Sequence, residues 1–301
     1  MKISGFTYVR NGVKLGYPFI PSILSLLPAV DELVVVVGDS DDGTREAIEA
    51  LKEEKIRIVD SVWDQNQRTG GKVFAQQSNL GLAEISGDWA IHLQVDEVLH
   101  ESAPARLREY IQQADQREDV DGLLMPFFHF WGDYQHIRNT RRTHRFEIRA
   151  FKNVPGIYAY RDSQGFRKYT SYENYLSGGK GVKLGVLKTD ITVFHYSYAR
   201  HPDLLASKMH FFFRFWHNNQ WIEKHVPDKP FDFNEVDKLE LFTGGHPKFM
   251  TEVIARQDWE FNYDPGRSKM KLKDKLLFFV EKRFGYRMFE YRNYTLARPT
   301  I

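Results

Sequence analysis

The sequence predicts an α/β protein with a mostly parallel sheet, and three observations support this prediction. Short apolar runs alternate with helix-length amphipathic segments along residues 3–97. The run over residues 33–37 is unbroken and β-branched, which is typical of a strand buried on both faces of a parallel sheet. The segments between the runs are long enough to form helices, as right-handed crossovers between parallel strands require.

The individual elements follow from local signals. Strands are predicted over residues 3–9, 33–37, 56–59 and 89–95, and helices over residues 18–27, 44–51 and 71–85. Pro18 and Pro21 are compatible with the first turn of the first helix, because the N–H groups there have no partner within the helix. Asp42 or Thr44 supplies an oxygen cap for the second helix.

Acidic residues directly follow two of the predicted strands. Asp39, Asp41 and Asp42 come after the second strand, and Asp96 and Glu97 come after the fourth. Because ligands of open α/β sheets bind beyond the carboxyl ends of the strands, two acidic loops at this edge indicate a nucleotide or metal site. A solvated turn is the alternative for either loop alone. The chain has neither GxGxxG after the first strand nor GxxxxGK[ST], which disfavours dinucleotide and P-loop sites.

The composition is that of a globular protein, with 42% hydrophobic and 27% charged residues in a chain of 301. A net charge of +2 gives no general attraction to nucleic acid, so we expect no nucleic-acid partner. The absence of cysteine excludes disulfides, thiolate catalysis and cysteine zinc sites, and it fits a reducing compartment. No apolar run approaches the ~18 residues of a membrane span, and no leader precedes the first strand. We therefore expect a cytoplasmic protein.

Within residues 2–101 the sequence resembles the GT-A glycosyltransferases, specifically the large inverting family 2. The segments that carry the resemblance, in the family's order, are Phe6-Thr7-Tyr8-Val9-Arg10-Asn11, Gly38-Asp39-Ser40-Asp41-Asp42-Gly43-Thr44, Gly71-Lys72 with Ser78-Asn79-Leu80-Gly81-Leu82, and Gln94-Val95-Asp96-Glu97. The last segment falls where the family carries its Asp-x-Asp metal motif. Two positions depart from the pattern: Gln94 replaces the first acid of that motif, and Gly38 occupies a place that is often Asp.

This resemblance implies an enzyme of polysaccharide biosynthesis that transfers a hexosyl or related group, with inversion, from a nucleotide-diphosphate sugar to a carbohydrate or glycolipid acceptor. It implies Mn²⁺ or Mg²⁺ as cofactor, with Asp96 as the ligand carried over from the motif. His195 ends a predicted strand over residues 191–196 and resembles the histidine that completes the metal shell or touches the diphosphate. The implied nucleotide-sugar contacts are Thr7, Tyr8, Asn11, Asp39, Lys72 and Gln94.

Such a transfer makes two chemical demands on the site. A cation and basic groups must offset the charge that builds on the leaving diphosphate, and Lys72, Arg68 and Arg145 are the candidate phosphate partners. A carboxylate must accept the proton of the acceptor hydroxyl. The catalytic candidates are Asp162 and Glu97, with Glu173 in reserve.

We divide the chain into a catalytic domain over residues 1–200, with a nucleotide-sugar half (1–101) and an acceptor half (102–200), and a helical and loop extension over residues 201–301. In the extension, residues 202–218 predict a helix whose aromatic stripe is first of all a packing surface. Residues 270–284 predict a basic amphipathic helix. This helix could lie peripherally on the inner face of an anionic membrane. The alternative, which we favour, is that it packs on the rest of the chain.

Two other functions remain open from the sequence. A nucleotidyltransferase can share this sheet, but it requires a basic Gly-rich loop after the first strand, where residues 11–16 hold a single lysine. A non-catalytic carbohydrate- or nucleotide-binding relative is favoured by Gln94 in place of an acid. Release of nucleoside diphosphate from candidate donors distinguishes an enzyme from such a binding protein.

Overall fold

The computed structural model of the chain describes residues 1–226 and 228–298, so residues 227 and 299–301 of the predicted extension lie outside the described residues. The strands are β1 (Ile3–Val9), β2 (Glu32–Val37), β3 (Ile56–Asp60), β4 (Trp89–His92), β5 (Glu97–Leu99), β6 (Gly122–Trp131), β7 (His136–Ile137), β8 (Phe146–Lys152), β9 (Ile157–Ala159), β10 (Phe166–Lys168), β11 (Val182–Lys188), β12 (Val193–Tyr198), β13 (Glu240–Leu241) and β14 (Tyr294–Leu296). The α-helices are α1 (Phe19–Leu26), α2 (Thr44–Glu49), α3 (Lys72–Glu84), α4 (Ala103–Asp115), α5 (Tyr172–Leu176), α6 (Pro202–Phe213), α7 (Asn219–His225), α8 (Thr251–Ala255) and α9 (Leu272–Phe284). Short 3₁₀ helices span Leu27–Ala29, Lys248–Met250 and Pro265–Arg267.

The central sheet has the strand order β3-β2-β1-β4-β8-β6-β11. Strands β3, β2, β1 and β4 are parallel, β8 runs antiparallel to both of its neighbours, and β11 is again parallel to β6. Helices connect the parallel strands of the first half, as expected for crossovers. The predicted fold class, an α/β protein with a mostly parallel sheet, is confirmed.

The unbroken apolar run of β2 is buried on both faces of the sheet. Leu33 and Val35 belong to one core cluster, which also takes in buried residues of α1 and α4. Val34 and Val36 belong to a second cluster with Phe6 and buried residues of α3. Because side chains alternate along a strand, a run without polar residues is stable only where both faces are covered.

The fourth strand is shorter than predicted. Residues 89–95 were expected to form it, but β4 ends at His92. The chain then turns, and Glu97–Leu99 pairs antiparallel with β12, placing Glu97 opposite His195. The turn is fixed by hydrogen bonds from the Glu97 N–H to the Gln94 carbonyl at 2.9 Å and from the Tyr196 N–H to the Asp96 carbonyl at 2.8 Å. Pairing with a strand from the second half of the chain therefore ends β4 early.

The described part of the predicted extension contributes to the same sheet system as the first 200 residues. Strand β14 pairs parallel with β11, and β13 pairs antiparallel with β7. The boundary at residue 200 stays a prediction, and the structure shows that strand pairing crosses it. A contact of helix α6 crosses the boundary as well, because its buried Lys208 donates a hydrogen bond to Asp96.

Helix α9 presents most of its large apolar residues to solvent. Leu272, Leu276 and Phe279 are 84%, 64% and 65% exposed, whereas Phe278 and Glu281 are buried. The helix packs on the rest of the chain, which is the favoured reading, but it does so through the face that carries Phe278 and Glu281. Across residues 1–226 and 228–298, no helix combines the length and the apolar character needed to cross a bilayer.

Candidate functional site

A cleft of about 830 Å³ opens at the carboxyl ends of β1, β3 and β4. Tyr8 and Arg10 reach it from the end of β1, Trp63 from the segment after β3, and Gln94 and Asp96 from the turn after β4. Its other walls come from β8, β12, α6 and the segment before β14. The cleft therefore lies where open α/β sheets bind their ligands.

Asp96 is the centre of a buried charge cluster in this cleft. Its Oδ2 accepts a hydrogen bond from Lys208 Nζ at 3.2 Å and lies 3.8 Å from Arg200 Nη2. Its Oδ1 lies 3.6 Å from His195 Nε2. Burial by itself raises the pKa of Asp96, but Lys208, His195 and Arg200 outweigh burial and hold the pKa well below its usual value. Asp96 is therefore a carboxylate at every pH where the protein is expected to work.

Two basic side chains face this one carboxylate. Burial, followed by the charge of Arg200, lowers the pKa of Lys208 to about 7, so the cluster has an excess of positive charge when Lys208 is protonated. Lys208 Nζ also donates to Ser197 Oγ at 2.7 Å and lines the cleft. Arg200 donates from Nη1 to the Leu15 carbonyl at 2.7 Å, while its buried Nε and Nη2 have no hydrogen-bond partner in the described chain. Buried N–H groups are normally paired, and an unpaired pair next to a cleft indicates a place for an anion.

The predicted divalent cation does not fit this arrangement. Mn²⁺ and Mg²⁺ require several oxygen or imidazole ligands, and these ligands are anionic or neutral, not cationic. The residues that the structure describes contain no group of three or more His, Asp or Glu side chains able to hold a metal ion. Gln94 stands where the motif has its first acid, so Asp96 is the one carboxylate left. Lys208 and Arg200 already pair with this carboxylate. The metal-ligand roles of Asp96 and His195 stay predictions, and in the structure Asp96 is instead the partner of Lys208, Arg200 and His195.

A histidine pair orients His195 toward Asp96. His129 Nε2 donates to the His144 carbonyl at 2.8 Å, and burial, followed by the charge of His195, lowers the pKa of His129 to about 3. His129 is therefore neutral, its Nδ1 is an acceptor, and the 2.8 Å contact is donated by Nδ1 of His195. This leaves His195 Nε2 directed at Asp96. Because Nδ1 already carries a proton, Nε2 presents an N–H group to the cleft only in the imidazolium form.

Glu147 is the functional candidate that the sequence analysis missed. It lies on β8 and lines the cleft, and no described Lys or Arg forms a salt bridge with it. Burial raises the pKa of Glu147 to about 8, with Arg149 opposing the shift and Glu97 and Asp162 adding to it. A carboxyl with such a pKa is a much stronger base than an ordinary one. The sequence signal that could have identified Glu147 is a charged pair two residues apart. Glu147 and Arg149 lie on one face of a largely apolar strand.

Asp162, the predicted base, also lines the cleft. Burial raises its pKa, and its buried Oδ1 has no hydrogen-bond partner among the described residues. Gly71 packs against it: at a φ of 63°, a Cβ on Gly71 would lie 2.2 Å from Trp216 and 2.8 Å from the Asp162 Cβ. Glycine at the start of α3 is therefore required for the close approach of the Asp162 turn.

Glu97 cannot serve as the catalytic carboxylate. Arg149 holds it with two hydrogen bonds, Nε to Oε2 at 2.7 Å and Nη2 to Oε1 at 2.6 Å, and both side chains are fully buried. The Gln94 N–H donates to the same Oε2 at 3.1 Å. With both oxygens occupied and neither facing the cleft, Glu97 positions the Gln94–Asp96 turn and does not accept a proton from an acceptor. The reserve candidate, Glu173, lies on the short helix α5 outside the cleft.

The structure brings only part of the predicted nucleotide-sugar contacts to the cleft. Tyr8 and Gln94 line it, whereas Thr7, Asn11, Asp39 and Lys72 do not. Asp39 does not line the cleft itself, but its Oδ2 accepts a hydrogen bond at 2.8 Å from Arg10, which does. Thr7 does not reach the cleft as a nucleotide-sugar contact. Side chains alternate along β1, and that of Thr7 is buried on the face opposite to Tyr8.

Aromatic side chains form one wall of the cleft. Trp63 packs edge-on against Phe74 at 5.5 Å between ring centroids, and Phe211 of α6 lies 6.1 Å from Trp63. Arg10 stacks over both Trp63 and Phe211. The aromatic stripe of the predicted helix therefore packs on the first half of the chain, as expected, and it also lines the cleft.

The arginine-rich segment between β7 and β8 is held mainly by carboxylates. Arg145 donates two hydrogen bonds to Glu290, both at 3.0 Å, and Arg141 lies 3.3 Å from Glu281. Arg145 is thus engaged by a carboxylate, and Arg68 bonds Asn219 away from the cleft, so neither is available as the expected phosphate partner. Arg142 is exposed at the rim.

Comparison with protein families and with curated proteins gives no match. Among solved structures, the chain is similar to S. aureus TarS, with 14% identity and a TM-score of 0.41 over 70% of this chain and 39% of TarS. It is similar to TarS 1-349 in complex with UDP-GlcNAc, with 14% identity and a TM-score of 0.39 over 70% of this chain and 65% of that one. It is also similar to glucosyl-3-phosphoglycerate synthase from Mycobacterium tuberculosis in complex with Mg²⁺ and UDP, with 15% identity and a TM-score of 0.36 over 72% and 81% of the two chains.

These similarities concern the fold. The matched region spans 39% of the full TarS chain and 64% of TarS 1-349, so less than two thirds of either protein is represented. No residue role is transferred from them to this chain.

Proposed function

We propose that the cleft binds a nucleotide-diphosphate sugar and transfers its sugar, with inversion, to an acceptor hydroxyl. The observation that carries the proposal is the charge arrangement in one cleft. Seven arginine and lysine side chains line it against four aspartate and glutamate side chains, which favours an anionic ligand. The same cleft holds Glu147, whose raised pKa suits proton acceptance.

In this proposal the leaving diphosphate lies at the Asp96 cluster. Lys208 lies there together with His195, whose Nε2 is an N–H donor in the imidazolium form, and donors of this kind stabilise charge as it develops on phosphate oxygens. Glu147 accepts the proton of the acceptor hydroxyl as the oxygen attacks the anomeric carbon, and the bond to the diphosphate breaks with inversion. Asp162, also with a raised pKa, is the second candidate for the base.

The donor is testable by thermal shift with a panel of nucleotide-diphosphate sugars. A ligand that binds the native state raises the melting temperature according to RT ln(1 + [L]/Kd), so a donor at about 100 times its Kd adds ~2.7 kcal/mol. We expect at least one nucleotide-diphosphate sugar to raise the melting temperature, while the corresponding free sugar has no effect. If none does so at millimolar concentration, the glycosyl-transfer proposal is wrong. Donor binding without release of nucleoside diphosphate would instead indicate a non-catalytic binding protein.

We further propose that α9 associates peripherally with an anionic membrane surface. The helix exposes Leu272, Leu276 and Phe279, and the basic residues around this face are Lys271, Lys273, Lys275, Lys282 and Arg283. Exposed apolar side chains with flanking cations are the features by which interfacial helices bind anionic lipid. The cytoplasmic location expected from the sequence stays a prediction.

This membrane contact is tested by co-sedimentation with vesicles. We expect the chain to pellet with vesicles containing phosphatidylglycerol and not with pure phosphatidylcholine, and to be released by salt. The double variant Leu276→Ser/Phe279→Ser should lose binding, whereas Leu176→Ser, at an equally exposed leucine of α5, should retain it. Equal pelleting of both variants would contradict the proposal.

A further inference from the structure

We propose that Lys208, supported by Arg200, takes the place of a divalent cation, so that this chain binds the diphosphate of its donor without metal. The inference rests on the proposed function and specifies how the same site holds its ligand. It goes against the cofactor that the sequence resemblance implies. Its basis is the geometry of the cluster around Asp96.

The first step is that Lys208 lies within a set of oxygens. Burial, followed by the charge of Arg200, lowers the pKa of Lys208 to about 7, and an anion bound beside it would favour the protonated form. Lys208 Nζ has three oxygen neighbours: Asp96 Oδ2 at 3.2 Å, Ser197 Oγ at 2.7 Å and the Ser197 carbonyl at 3.3 Å. The side chain is buried, yet it lines the cleft. The amino group of Lys208 therefore lies beside the carboxylate of the motif, at the wall of the cleft.

The second step is that positive charge remains after Asp96 is neutralised. Arg200 is 3% exposed, and its Nη2 lies 3.8 Å from the same Oδ2 that accepts from Lys208. Its Nε and Nη2 have no hydrogen-bond partner among residues 1–226 and 228–298. With Lys208 protonated, one carboxylate against two cations leaves a net positive charge that a diphosphate oxygen can satisfy.

The third step is that a metal ion would be repelled from this position. A divalent cation on Asp96 would lie within a few ångströms of both Lys208 and Arg200, in a buried site where charges are poorly screened. Replacement of the first motif acid by Gln94 removes a negative ligand that would offset the repulsion. The missing acid and the two buried basic groups therefore both disfavour a metal ion at Asp96.

The inference is tested by calorimetric titration of uridine diphosphate into the full chain, once in EDTA and once in Mn²⁺. We expect the two dissociation constants to agree within about twofold, and Mn²⁺ titrated alone to show no binding at this site. The Lys208→Met variant should bind uridine diphosphate at least tenfold more weakly in both buffers. Lys224→Met, at an exposed lysine of α7, is the matched control and should bind like wild type.

Each result decides between defined outcomes. Binding that requires Mn²⁺ would overturn this inference and leave the proposed function in place, as would unchanged affinity of Lys208→Met in EDTA. No binding of uridine diphosphate or of any nucleotide-diphosphate sugar under either condition would reject the proposed function itself. If Lys208→Met does not fold, the wild-type comparison of EDTA with Mn²⁺ alone gives the answer.

Discussion

Replacing Glu147 with glutamine is expected to reduce glycosyl transfer by about 10²–10⁴-fold, the usual contribution of a positioned base. The glutamine amide fills the same space but cannot accept the proton of an acceptor hydroxyl. Donor binding should be unchanged, because the diphosphate cluster around Asp96 does not include Glu147. Nucleoside diphosphate release in the presence of acceptor measures the loss, and the Asp162→Asn variant is the comparison. A larger loss in Asp162→Asn would move the base to Asp162.

The pH dependence of stability provides an independent check on Glu147. Its pKa is about 8 in the folded protein and 4.5 in its ordinary state, so folding takes up a proton between these values. The stability that the protonated form contributes is fully present below about pH 4.5 and is lost as the pH rises to about 8. The melting temperature of wild type should therefore fall relative to that of Glu147→Gln across this window and run parallel above it. A constant difference from pH 5 to pH 9 would show that the carboxyl is not perturbed.

The Arg149→Met variant is expected to lose about 3–5 kcal/mol of unfolding free energy. Arg149 and Glu97 are both fully buried in the wild-type protein, so the methionine leaves Glu97 as a buried carboxylate without its partner. Urea denaturation of wild type and variant measures the difference. The double variant Glu97→Gln/Arg149→Met should recover most of it, because no uncompensated charge remains. A loss below about 1 kcal/mol in the single variant would mean that water or another cation replaces the guanidinium.

The first half of the fold was predictable because its signals are local. The β-branched run of β2 and the helix-length connections determine a parallel sheet without knowledge of distant residues. The end of β4 was not predictable in this way. Residues 93–95 are as apolar as the strand before them, and they leave the sheet because β5 pairs with β12, about a hundred residues later in the chain.

The candidate site was predictable only where the sequence carries the motif itself. Asp96 and His195 both line the cleft, with Nε2 and Oδ1 3.6 Å apart. The charges around Asp96 were not predictable, because Lys208 and Arg200 reach it from positions more than a hundred residues away in the chain. A lysine on an aromatic helix gives no signal that it is buried against a carboxylate. Glu147 was missed for a similar reason, since its raised pKa depends on burial that only the tertiary structure produces.

The central claim is that the diphosphate of a nucleotide sugar is bound at the Asp96 cluster. An experimental structure of the chain in complex with uridine diphosphate tests it most directly. We expect the diphosphate oxygens within hydrogen-bond distance of Lys208 Nζ and His195 Nε2, with no metal ion between them and Asp96. A diphosphate bound instead at the arginine-rich rim, or bridged to Asp96 by Mn²⁺ with Lys208 displaced, would contradict the account.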